Sequence, residues 1–158
     1  MPDKVRWGVL GAANIAVKKV IPAMQRGELC EVLGLASRDV EKARRAAHAL
    51  GVPKVYGSYE ELLADEEIEA VYNPLPNNLH VPWTKKAAEA GKHVLCEKPV
   101  AMSVAEAREL LAVRDRTGGL PKRCFANRDG GLGCVCPAWG SSLVCVGQIA
   151  RSTGQQGA

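Results

Sequence analysis

Short apolar runs alternate with stretches whose apolar residues recur every three to four positions, and this alternation covers the first three quarters of the chain. Val5-Arg6-Trp7-Gly8-Val9-Leu10 reads as a buried strand. It passes through Gly11-Ala12-Ala13-Asn14 into Ile15, Ala16, Val17, Val20, Ile21 and Met24, which share helical spacing. Val32 to Ala36 predicts a second strand, after which Asp39 caps a helix with Ala43, Ala46, Ala47 and Leu50 on one face and Gly51 as its stop. A third strand, Lys54-Val55-Tyr56, precedes the capping box Ser58-Tyr59-Glu60-Glu61.

The fourth strand is expected over Ile68 to Tyr72, ending at Pro74 and Pro76. Asn77 or Asn78 then caps a helix that tolerates Pro82 near its first turn, buries Val81, Ala87, Ala88 and Ala90, and closes at Gly91. His93-Val94-Leu95-Cys96 gives a fifth strand, and the capping box Ser103-Val104-Ala105-Glu106 opens a helix with Val104, Ala107, Leu110 and Leu111 inward. Five strand–helix units at this pace specify parallel pairing through right-handed crossovers. The fold class is therefore α/β, a doubly wound parallel sheet with helices on both faces.

The pattern stops after Thr117-Gly118. From Gly119 to Ala158 there is one acidic residue, Asp129, with eight of the 16 glycines and four of the six cysteines, and only Ser141 to Ile149 reads as a strand. Residues 1–118 are expected to form one domain and 119–158 an atypical Gly/Cys-rich tail, of out-of-frame or foreign origin. Cys134-Val135-Cys136 lacks the two-residue gap of zinc knuckles, so no metal site is expected there.

Composition narrows the picture only slightly. With 47% hydrophobic and 24% charged residues the chain is that of a globular protein. A net charge of +4, scattered along the sequence, is too small to argue for nucleic acid and gives only a weak bias toward anionic small ligands; no nucleic-acid partner is expected. No run approaches the roughly 20 apolar residues that span a bilayer, and Met1-Pro2-Asp3-Lys4 leads straight into strand pattern, so a cytoplasmic location is expected.

Candidate chemistry sits at the carboxyl ends of the strands, where open α/β sheets bind ligands. Gly11-Ala12-Ala13-Asn14-Ile15-Ala16 stands where a dinucleotide fingerprint belongs, between the first strand and its helix. One glycine of three is present, and the Ala13 methyl would set a pyrophosphate slightly farther out. Ser37 and Arg38 end the second strand, where an acidic residue would bind ribose hydroxyls and repel a 2′-phosphate. Hydroxyl plus guanidinium favours NADP over NAD, and Lys42 either adds charge or is a solvated helix residue. The loop Pro74-Leu75-Pro76-Asn77 is expected beside the nicotinamide, with His80 either facing substrate or cofactor or serving as a packing residue. Glu97-Lys98-Pro99 places an ammonium at the end of the fifth strand.

Taken in order, Trp7 through Ala16, Ala36-Ser37-Arg38-Asp39, Tyr56 through Leu63, Pro74 through His80, and Gly91 through Pro99 resemble the cofactor domain of the glucose-fructose oxidoreductase and inositol dehydrogenase family (Gfo/Idh/MocA), nearest to dihydrodiol dehydrogenase-like and xylose dehydrogenase-like members. The resemblance runs from about Lys4 to Gly118 and implies a Rossmann-type fold. By this resemblance Lys98 is the catalytic lysine, whose ammonium bonds the reacting oxygen during hydride transfer between nicotinamide and a sugar, polyol or dihydrodiol. It also implies that Glu97 positions the nicotinamide ribose, that Pro99 follows a cis peptide, and that Asn77 and His80 belong to the loop beside the cofactor. Family members continue with a second α/β domain that builds the substrate pocket and oligomer contact, and nothing here matches it. The expected function is thus a truncated NADP-dependent oxidoreductase of low or absent turnover. The alternatives are a nucleotide-binding module or scaffold without redox chemistry, or a fragment with no function.

Overall fold

The computed structural model describes residues 4–117, together with the backbone of a short antiparallel pair, Phe125–Ala126 with Leu132–Gly133. The run Ser141 to Ile149 and the four late cysteines lie outside the described residues. Five strands, β1 (Val5–Leu10), β2 (Cys30–Ala36), β3 (Lys54–Tyr56), β4 (Ala70–Asn73) and β5 (His93–Cys96), form one sheet in the order β3-β2-β1-β4-β5. Every pairing within it is parallel. The doubly wound architecture expected from the sequence is the one observed.

Period-two alternation explains how the sheet buries both faces. Val9, Leu35, Tyr72 and Leu95 join one core cluster, whereas their neighbours Leu10, Ala36, Val71 and Val94 join another. The first face packs α1 (Ile21–Gln25) and α2 (Val40–Leu50), through Ile21, Met24, Ala43 and Ala47. The second packs α3 (Tyr59–Ala64) and α4 (Asn77–Glu89), through Leu62, Leu63 and Ala87. Gly8 lets α3 come close: a β-carbon there would lie 2.6 Å from a Leu62 methyl and 2.9 Å from Ile68 Cδ1.

Helix ends follow the local chemistry read from the sequence, with small changes. Asp39 caps α2 by accepting from the Lys42 amide, and Gly51 ends it in the left-handed region at φ 66°. Ser58 and Ser103 accept from the amides of Glu61 and Glu106. The returning carboxylates reach one residue further back than in a standard capping box, to the amides of Gly57 and Met102.

Several expectations are corrected. The first helix carries a π-helical turn, Ala16–Val20, between Asn14–Ile15 and α1. The fourth strand runs from Ala70 to Asn73 rather than from Ile68, whose side chain instead fills the core at 1% exposure. The N-cap of α4 is Pro76, with no side-chain cap from Asn77 or Asn78, and Pro82 lies inside the helix. On α5 (Val104–Thr117) the buried residues are Leu110 and Val113, while Val104 and Leu111 are exposed. The capping box fixed where α5 starts but not its rotation. That is set by packing against α4.

At the amino-terminal end of the sheet, Asp65 gathers four groups. Lys54 Nζ donates to its carboxylate at 2.7 Å, Tyr56 Oη donates to the same oxygen, the Glu67 amide donates to the other, and Lys92 Nζ donates to its carbonyl at 2.7 Å. The bond from Lys54, then that from Tyr56, hold the Asp65 carboxyl down at about 2. A depressed carboxyl stabilises the fold fully above its ordinary value and loses that contribution as pH falls through the folded one. Asp65→Asn is therefore expected to unfold at lower urea concentration than the parent at pH 7, with the gap narrowing as pH drops from about 4 towards 2. A gap that stays constant over that range would remove Asp65 from the account of acid stability.

Candidate functional site

Sheet order places β1 and β4 side by side with their connections running to opposite faces, the point at which α/β sheets open a ligand crevice. A cleft of about 320 Å³ lies there. One wall is Gly11, Ala12 and Ala13 after β1; the rim after β2 is Ser37, Arg38, Asp39 and Lys42. Pro74, Leu75 and Pro76 after β4 close the other side, with Tyr59 between.

Gly11 adopts φ +94°, a conformation glycine takes without strain. Its amide donates to the Ala36 carbonyl at 2.7 Å, locking the turn to the end of β2. Asn14 and Ile15 are exposed at the start of the helix that follows, and Ile15 is 48% exposed. They stand beside the cleft lining and are not part of it.

Ser37 is buried, and its hydroxyl oxygen accepts from the Asp39 amide at 3.2 Å, which leaves the hydroxyl proton free to donate. Arg38 and Lys42 are exposed at the rim. Asp39 also lines the cleft, but one oxygen of its carboxylate accepts from the Lys42 amide as the cap of α2.

The β4 and β5 ends are bound to each other. Asn73, fully buried, donates to the His80 carbonyl and to Thr84 Oγ1, and accepts from the Leu75 amide. His80 is 1% exposed, with Nε2 at 2.6 Å from the Leu75 carbonyl and Nδ1 at 2.7 Å from the Pro99 carbonyl. Both neighbours are main-chain carbonyls, so each ring nitrogen stands at an acceptor. The body of the ring is in the core and both polar atoms are spent tying the Pro74–Pro76 loop to the Lys98–Pro99 loop. Asn77 is exposed on the first turn of α4, outside the lining.

Glu97 continues from β5, its amide donating to the Asn73 carbonyl at 3.1 Å. The buried Tyr72 hydroxyl donates to Glu97 Oε1 at 2.6 Å, which fixes the carboxylate. Lys98 is exposed and has no hydrogen bond or ion pair to another described residue; the Lys98–Pro99 peptide is cis. Cys96, one residue before Glu97, is pushed up to about 12 by burial and is a core thiol rather than a nucleophile.

Sequence reading missed Tyr59 as part of the lining. Pro74 and Pro76 were visible as the loop's stiffeners. Tyr59 gave no signal beyond its place in a capping box. Among the described residues no group of three or more His, Cys, Asp or Glu is placed to hold a metal ion, and no helix is long and apolar enough to cross a membrane.

A parallel sheet in this order, with a glycine turn under its central crevice, defines a dinucleotide-binding domain of the Rossmann type. Residues 5–120 match the family model described as the oxidoreductase family, NAD-binding Rossmann fold. The chain belongs to that Gfo/Idh/MocA oxidoreductase family. It is 60% identical over 116 residues to an uncharacterized oxidoreductase of Rhizobium meliloti, covering 73% of this chain and 35% of that one. It is 54% identical over 100 residues to D-xylose 1-dehydrogenase (NADP(+)) 2 of Haloferax volcanii, covering 63% and 30%. The crystal structure of a 3-ketoreductase from Actinomadura kijaniata in complex with NADP and TDP-benzene superposes with a TM-score of 0.71 at 38% identity, covering 74% of this chain and 36% of that one. The chain thus spans about a third of the length of the relatives it matches.

Proposed function

We propose that residues 4–117 are the cofactor half of an NADP-dependent oxidoreductase that moves hydride to or from a sugar, polyol or dihydrodiol. The observation carrying the cofactor choice is the rim after β2. It offers the free Ser37 hydroxyl, the Arg38 guanidinium and the Lys42 ammonium, while its one carboxylate, Asp39, is engaged in capping α2. Three donors and two positive charges fit a 2′-phosphate, and a ribose diol would need the carboxylate they replace. The turn at Gly11 fits a pyrophosphate, because backbone amides and the start of a helix meet there.

NADP, when bound, supplies the hydride donor or acceptor. The protein's part is to orient it: Leu75 and the prolines around it wall the crevice, Glu97 holds the nicotinamide ribose, and Lys98 presents its ammonium to the oxygen of the reacting carbon. A xylose dehydrogenase and a sugar-nucleotide ketoreductase among the relatives support a carbohydrate-like substrate. Titration of the 158-residue chain with NADPH and NADH, followed by nicotinamide fluorescence, is expected to show NADPH binding at least about tenfold tighter. Equal affinities would end the case for NADP.

A further inference from the structure

Tyr59 is the side chain in the cleft that the reading above leaves without a task. It opens α3, its ring is 94% buried in the core of the second face, and the edge of Trp83 stands against it at 4.8 Å and 86°. The hydroxyl, however, emerges into the cleft. It lies 3.6 Å from the point a β-carbon on Gly11 would occupy, and no described residue hydrogen-bonds it. Buried tyrosines place their hydroxyls on a partner as a rule, because an idle phenol oxygen at the edge of a core forfeits a bond it would have in water.

The surroundings say what that partner is. The neighbouring Gly11 amide is already committed to Ala36, so it has nothing to give a ligand. Ala13 brings a methyl where a bare backbone would let an anion settle deepest. A phosphate at this turn therefore lies outside the Ala13 methyl, in the cleft that Tyr59 also lines. We propose that Tyr59 donates its phenolic hydrogen bond to the pyrophosphate of the bound dinucleotide, supplying from α3 a contact that the turn after β1 does not. The proposal rests on the NADP reading and adds a specificity contact to it: the protein reads the diphosphate bridge through a side chain as well as through main chain.

The test separates the two. Tyr59→Phe keeps the ring against Trp83 and removes only the oxygen. It is expected to weaken NADPH binding about tenfold, the effect of losing one hydrogen bond to a charged acceptor, while 2′-AMP, which has the 2′-phosphate but no diphosphate, binds within about twofold of the parent. In the parent chain carrying tyrosine labelled at Cζ, the Tyr59 carbon resonance is expected to move with NADPH and stay still with 2′-AMP, a readout independent of the variant's folding. Unchanged NADPH affinity in Tyr59→Phe, a resonance indifferent to NADPH, or equal losses for both ligands would each overturn the assignment and leave the cofactor reading standing. A parent chain that takes up no NADPH would overturn both.

Discussion

Replacing Lys98 with alanine in a full-length form, one carrying a substrate domain after position 117, is expected to lower kcat by about 10²- to 10³-fold and to leave NADPH affinity within about twofold. The size follows from where charge gathers. As a carbonyl accepts hydride its oxygen becomes anionic, and a preorganised ammonium stabilises that oxygen more than the ground-state carbonyl. The residues flanking Lys98 are held: the Glu97 amide is tied to Asn73, the Glu97 carboxylate to Tyr72, and the Pro99 carbonyl to His80. Lys98 lies between these anchors with no ion pair to another described residue to occupy its ammonium. Because the lysine is outside the lining of the cleft proposed for the cofactor's phosphates, removing it is expected to spare binding. Stopped-flow hydride transfer with equilibrium titration of NADPH separates the two quantities. Undiminished turnover would end the catalytic claim, and a parallel loss of NADPH affinity would recast Lys98 as a binding residue.

Arg38→Ala is expected to weaken NADPH by about ten- to a hundredfold and NADH by less than twofold, so that the preference disappears. A guanidinium gives paired, charge-assisted bonds to a phosphate, each stronger than a neutral hydrogen bond, and nothing comparable to a ribose hydroxyl. Lys42→Ala should cost less, since an exposed ammonium on a flexible stem is screened by water and salt. The effect should shrink as ionic strength rises, because Arg38 is at the exposed rim. Parallel fluorescence titrations of both nucleotides decide the matter. If the preference survives the substitution, the 2′-phosphate is read elsewhere.

Most of the scaffold was legible because its signals are local. Val9 and Leu10, or Val71 and Tyr72, declare opposite faces by alternation alone, and Asp39, Gly51, Ser58 and Gly91 mark helix ends through bonds that span only a few residues. What escaped depends on contacts distant in sequence. Val104 and Leu111 fit a helical stripe as well as Leu110 and Val113 do, and only docking of α5 on α4 decides between them. Tyr59 reaches the cleft because α3 tucks beneath the Gly11 turn, 48 residues away in the chain. At His80 the sequence left a ligand-facing and a packing role open, and its contacts come from two main-chain carbonyls far apart in sequence that converge on it. Ser37, Arg38 and Lys42, by contrast, were visible as a group, since the end of a strand and the first turn of its helix are always close.

The contacts of Asp65 bear on how such a sheet is held together. Through Lys54 and Tyr56 it grips one margin of the sheet, and through Lys92 the other. The two margins of the sheet are thereby tied to each other away from the crevice after β1 and β4.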